Sequence, residues 1–173
     1  TDFISPLAVR SQSNAQGDLS NNSSDGEDQK YDRIRSILSE EISNGLVEVE
    51  RDGDKIILRL GQQDSFDSGR AEVKNSFEGT LQKVGMALND VGGIVKIEGH
   101  TDNVPVGFSS RYRSNWDLSS ARSAAVADYI LGSTNLQPGN VSVAGFADSK
   151  PIASNDTTDG RARNRRIEVL VDG

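Results

Sequence analysis

The chain has 173 residues, enough for one domain with a sizeable core, and 26 acidic against 19 basic residues leave it at −7. That acidity argues against general binding to nucleic acid or anionic membranes. With no cysteine, a disulfide framework and thiolate metal sites are excluded.

The first 29 residues hold five acids (Asp2, Asp18, Asp25, Glu27, Asp28) against Arg10, more than half of the net charge. Ser11 to Gln29 has Leu19 as its only large apolar residue, too little to offset ordering entropy. Residues 1–29 are therefore expected to be a flexible acidic and polar linker. The chain opens on Thr1 and no apolar run nears the ~20 residues of a membrane span, as expected of a fragment.

Residues 30–62 read as a helix and hairpin. Tyr31, Ile34, Leu38 and Ile42 recur at helical steps up to Gly45, Val47 and Val49 alternate with acids, and Asp52-Gly53 signals the turn to a strand at Lys55 to Leu60. Residues 63–173 form the expected core. Val73, Phe77, Leu81, Val84, Leu88 and Val91 predict a helix from about Arg70 to Asp90, closed by Gly92-Gly93. Ile94 to Glu98 predicts a strand that delivers Gly99-His100-Thr101-Asp102. A polar loop, Val104 to Arg113, leads to a helix expected over Leu118 to Leu131. A strand at Val141 to Phe146, a long loop from Ala147 to Arg163 and a strand with alternating Ile167, Val169 and Val171 complete the chain. This α-β-β-α-β-α-β-β order predicts an α+β, two-layer sandwich with helices on a mixed sheet.

Asp102 falls where a strand meets a loop, and Arg122 in the first turn of the next predicted helix. An acid and a planar cation facing one cleft suit a zwitterion: the carboxylate attracts an ammonium and the guanidinium forks onto a carboxylate. The bland alternative is that Asp102 caps a turn and Arg122 pairs with a helical acid such as Asp117. His100, the only histidine, would need further ligands to hold zinc and a nucleophile to act as a base; no nucleophile signature occurs, so a buried, hydrogen-bonded role is favoured. Arg161, Arg163, Arg165 and Arg166 read as a mainly structural cluster. Trp116 is expected to pack its loop onto the core.

The series Gly99-His100-Thr101-Asp102, Asn115-Trp116-Asp117-Leu118-Ser119, Arg122 and Asn164-Arg165-Arg166 resembles the OmpA-like peptidoglycan-binding domain, and its Ser114–Ser119 version the flagellar stator B-subunit branch (MotB/PomB). The resemblance covers roughly Phe66 to Val171, with core order βαβαββ preceded by an extra helix and strand. It implies a non-catalytic periplasmic anchor, without metal or cofactor, that binds the diaminopimelate of the peptidoglycan stem peptide. Asp102 matches the ammonium-binding acid, Arg122 the carboxylate-binding arginine and Asn115 a polar contact; Thr101, Phe66 and Asp67 would line the pocket. His100, Trp116, Leu118, Asn164 and Arg165 would support it. The implied partners are the stator A subunit, through an upstream inner-membrane helix, and a second copy of the chain, with no nucleic acid. The rivals are an OmpA- or Pal-type envelope anchor without a motor, and a cell-wall hydrolase using His100 and Asp102.

Overall fold

The computed structural model describes residues 26 and 29–172. The expected linker over 1–29 lies, apart from residues 26 and 29, outside them. Helix α1 (residues 29–37 as described) and α2 (Ser39–Ser43) occupy the stretch predicted as one helix. The backbone leaves helical angles at Leu38, with φ −98° and ψ 15°, while the helical ladder continues, from Leu38 to Ile34 and from Ile42 to Leu38. Ile34 and Leu38 are fully buried. The pair ends at Gly45, whose φ of +74° is left-handed backbone that glycine adopts without strain.

Strands β1 (Glu48–Asp52) and β2 (Lys55–Gly61) form the expected hairpin, with Asp52 opposite Lys55. A short helix α3 (Gln62–Ser65) follows, which no apolar periodicity announces. Helix α4 runs Asn75–Val91, starting later than the expected Arg70. Val73 fits the helical spacing, yet it bridges to Phe66 instead. Gly69, at φ +71°, turns the chain between them, so residues 66–74 form an irregular flap. Its backbone is closed by Arg70 N–H to the Asp67 carbonyl and Lys74 N–H to the Ser65 carbonyl.

Strand β3 is Val95–His100, helix α5 Asn115–Ser133, strand β4 Val141–Gly145 and strand β5 Arg166–Asp172. Helix α5 begins three residues before the expected Leu118 because Ser114 caps it, its hydroxyl accepting from Asp117 N–H at 3.3 Å. The long loop expected over 147–163 contains a further helix, α6 (Thr158–Asn164), capped by Thr157. The sheet order is β1-β2-β5-β3-β4, antiparallel except for the β3/β4 pair.

Helices pack on one face of this mixed sheet, as the α+β reading expects. Phe77, Leu81, Val84 and Leu88 of α4 and Val126 and Ile130 of α5 meet Leu58, Leu60, Ile97, Ile167 and Val169. Two glycines set the height of α5. A Cβ on Gly99 would overlap the carbonyl oxygen of Ser119, and one on Gly145 would overlap Ser120. Only bare backbone lets the first half of α5 lie so close to β3 and β4, and that height carries Arg122 to the sheet's end. Among the described residues no helix is long and apolar enough to cross a membrane.

Candidate functional site

Strand β3 extends through His100, two residues past its expected end, so alternation decides which way each side chain goes. Gly99 faces the helices and His100 the opposite side of the sheet. The chain then turns: Thr101 N–H bonds the Ala147 carbonyl at 2.8 Å, and the Thr101 hydroxyl donates to the Asp102 carbonyl. Asp102 comes to lie 7% exposed at the floor of an open cleft of about 890 Å3. Thr101, Phe66, Asp67, Asn115, Leu118 and Arg122 all line that cleft.

The expected partnership of Asp102 and Arg122 is not a direct one. Asp102 Oδ1 accepts Val104 N–H at 3.0 Å and Oδ2 accepts Arg165 at 2.7 Å. The turn-capping role is therefore real, and its ion partner is Arg165, one residue before β5. Arg165, expected as a support, is itself a wall of the cleft. Consecutive strand residues point to opposite faces, so the run Asn164-Arg165-Arg166 divides its two cations between the two sides of the sheet.

Arg122 is the eighth residue of α5, not in its first turn, and is 4% exposed. Its Nε donates to the Arg70 carbonyl at 2.8 Å and one terminal nitrogen to the Asp67 carbonyl at 3.3 Å. Its guanidinium carbon lies 5.2 Å from the centre of the buried Phe66 ring. Among the described residues no carboxylate comes within ion-pairing distance of it, and Asp117 instead serves Arg113. Burial, aided by repulsion from Arg165, lowers its pKa to about 10, although Tyr112 and Asp102 act the other way. A guanidinium taken from water without a counterion is costly, and an incoming carboxylate would relieve that cost.

Asn115 donates to the Val104 carbonyl at 2.9 Å, fixing the loop that forms the far wall. Leu118 is buried beside it. Asn164, fully buried, behaves as a support: its Oδ1 accepts Ile152 and Ala153 N–H, and its Nδ2 donates to the Ala153 carbonyl and to Asn155 Oδ1. Trp116 does not pack onto the core. It is 54% exposed, because the helix already starts at Asn115 and the stripe Asn115, Leu118, Arg122 takes the inward positions.

His100 is buried, stacked on Phe146 with ring centres 5.4 Å apart, its Nε2 3.3 Å from Glu98 Oε1. Burial, with Arg166 nearby, holds its pKa below the ordinary histidine value, so it is neutral at pH 7. Glu98, His100 and Glu168 bring three donor atoms within 4.8 Å of one another, a grouping that could hold a metal by distance alone. The charge is already met: Lys96 pairs with Glu98 at 3.2 Å, and Arg59 and Arg166 reach Glu168 at 2.8 and 2.9 Å. Three cations around two carboxylates oppose a further one.

A mixed sheet with helices on one face, carrying an open polar cleft at the C-terminal end of β3, defines the class, and the chain belongs to the OmpA family, which matches residues 65–165. Among sequence relatives, motility protein B of Bacillus subtilis is 28% identical over 141 residues, covering 80% of this chain and 53% of that protein. The chain spans 60% of another B. subtilis relative, YtxE, at 29% identity. Among solved structures, the cell wall anchor of the type VI secretion system (T6SS) from Pseudomonas aeruginosa superposes with a TM-score of 0.76 and 36% identity, covering 81% of this chain and 96% of that one. A putative MotB-like protein from Desulfovibrio vulgaris gives 0.77 and 25%, covering 86% and 94%.

Proposed function

We propose that this chain is a non-catalytic anchor that grips peptidoglycan in the Asp102–Arg122 cleft, with the diaminopimelate of the stem peptide as the residue seized. The observation that carries the reading is Arg122, a buried guanidinium with two backbone carbonyls but no carboxylate. A ligand carboxylate would fork onto it, while the ligand ammonium would share Asp102 with Arg165. Asn115, Thr101, Phe66 and Asp67 shape the seat. Relatives support the choice of peptidoglycan: a peptidoglycan-binding protein of Mycobacterium bovis is 38% identical over 77 residues, and the similar P. aeruginosa structure is that of a cell wall anchor.

The wider assignment is to the periplasm, as the wall-fixing part of a flagellar stator B subunit. An upstream inner-membrane helix would join it to the A subunit, and two copies would work together. Motility protein B and the MotB-like structure favour this branch. The OmpA- or Pal-type anchor is favoured instead by the outer-membrane protein Omp38 of Acinetobacter baumannii, 33% identical over 109 residues. A stator A gene beside this one, or co-purification of the full protein with an A subunit, separates the two. For the cleft, co-sedimentation with purified sacculi is the test. Arg122→Ala is expected to lose at least about tenfold in affinity, and unchanged co-sedimentation of a folded variant would overturn the reading.

A further inference from the structure

The segment between Asp102 and Asn115 is braced at both ends and in the middle. Val104 is held through its N–H by Asp102 and through its carbonyl by Asn115. Ser110 N–H closes a turn onto the Gly107 carbonyl, and the Ser110 hydroxyl accepts Tyr112 N–H at 3.1 Å. Arg113 N–H bonds Asp117 at 3.0 Å, and Arg111 pairs with Glu72 at 2.8 Å. On this held loop the Phe108 side chain stands wholly in solvent. The other phenylalanines among the described residues are packed: Phe66 and Phe77 are 1% exposed and Phe146 stacks on His100. Gly107 and Ser109, its neighbours, both line the cleft, so the ring sits on the rim with its face free.

We propose that this rim is a second ligand subsite, in which the Phe108 ring stacks on a pyranose of the glycan from which the cleft-bound peptide hangs. The inference rests on the reading of the cleft as a peptidoglycan seat. A pyranose ring offers one face of C–H groups and an edge of hydroxyls. Phe108 matches the face, and Ser109 and Ser110, next to it in the loop and lining the cleft, match the edge. The exposed apolar residues of this loop are Phe108, Val104 and Pro105, a small set beside the few hundred Å2 of contiguous apolar surface that marks a protein docking site. A net charge of −7 disfavours an anionic lipid surface. Continuity with the cleft supplies the rest, because a stem peptide entering between the 66–74 flap and the braced loop leaves its sugar outside, at the rim.

Titration calorimetry of the whole chain with two soluble probes tests this. One is a disaccharide muropeptide carrying a diaminopimelate stem; the other is the same stem peptide without sugar. Phe108→Ala is expected to weaken the first about three- to tenfold and leave the second unchanged, while Phe108→Trp keeps the preference. Equal loss on both probes, or loss on neither, overturns the subsite. So does lipid-vesicle binding that vanishes in Phe108→Ala, which would assign the ring to a membrane. If the unaltered chain binds neither probe, the reading of the cleft falls and this inference with it. If it binds the sugar-free peptide normally and ignores the Phe108 changes, the subsite alone falls.

Discussion

Arg165 and Arg166 are neighbours in sequence and opposites in circumstance. Arg166 belongs to a saturated network on the open face of the sheet, bonded to Glu168, to the Asn164 carbonyl and to the Lys150 carbonyl. Glu168 in turn takes Arg59, which also pairs with Glu50. Burial would raise the Glu168 pKa, but hydrogen bonds from Arg166 and Arg59 outweigh it and hold it below the ordinary value. Across the sheet end, Asp102 pairs with Arg165, and among the described residues Arg122 has no carboxylate within ion-pairing distance. Buried charge that is matched holds a fold together; buried charge left in surplus is a place for something to bind.

The contrast is most exposed to failure at Arg166. Arg166→Ala removes one of the two cations on buried Glu168 and leaves Arg59 in place, so it should cost about 1–3 kcal/mol and lower the melting temperature by roughly 2–10 °C, while the folded fraction still co-sediments with sacculi. Lost binding at an unchanged melting temperature would reverse the roles assigned to the two faces. Next comes Arg122→Lys, expected to keep a cation in place yet lose about tenfold in affinity, because an ammonium cannot fork; wild-type affinity would mean that charge alone suffices. A smaller effect belongs to His100. Its folded pKa lies below the unfolded 6.5, so the unfolded chain takes up the proton first and stability present above pH 6.5 drains away as pH falls below it. Glu168, also lowered, adds a separate acid loss that begins only near its ordinary 4.5. Melting curves at pH 7 and pH 5 should therefore differ less for His100→Gln than for the unaltered protein, and equal differences would remove histidine from the account. Smallest is Arg111→Ala: both partners of its ion pair are largely exposed, and the melting temperature should not move.

Much of this arrangement could be read from residue patterns, and the misses share a cause. Helix α4 and strand β5 are long and periodic, so their faces announce themselves: spacing alone points Leu81 and Val169 inward. Helices α3 and α6, with four and seven residues, have too few turns for periodicity to register. Val73 fits a helix it does not join, because the tertiary bridge to Phe66 wins over local spacing. The site residues Asp102, Asn115 and Arg122 do converge on one cleft. What spacing could not reveal was who pairs with whom. Asp102 lies 63 residues from Arg165, and only the sheet order, with β5 between β2 and β3, brings them together.

The Arg111–Glu72 pair joins the braced loop to the 66–74 flap, and both of its members border the cleft. A polymer fastened at both ends has no terminus to thread, so it can be captured only sideways, through whatever spans the opening. An exposed pair is a weak clasp that water and salt undo readily. On the proposed reading of the cleft, the grip would be strong at Arg122 while remaining quick to open, and the dwell time on the ligand would depend on ionic strength as well as on the seat.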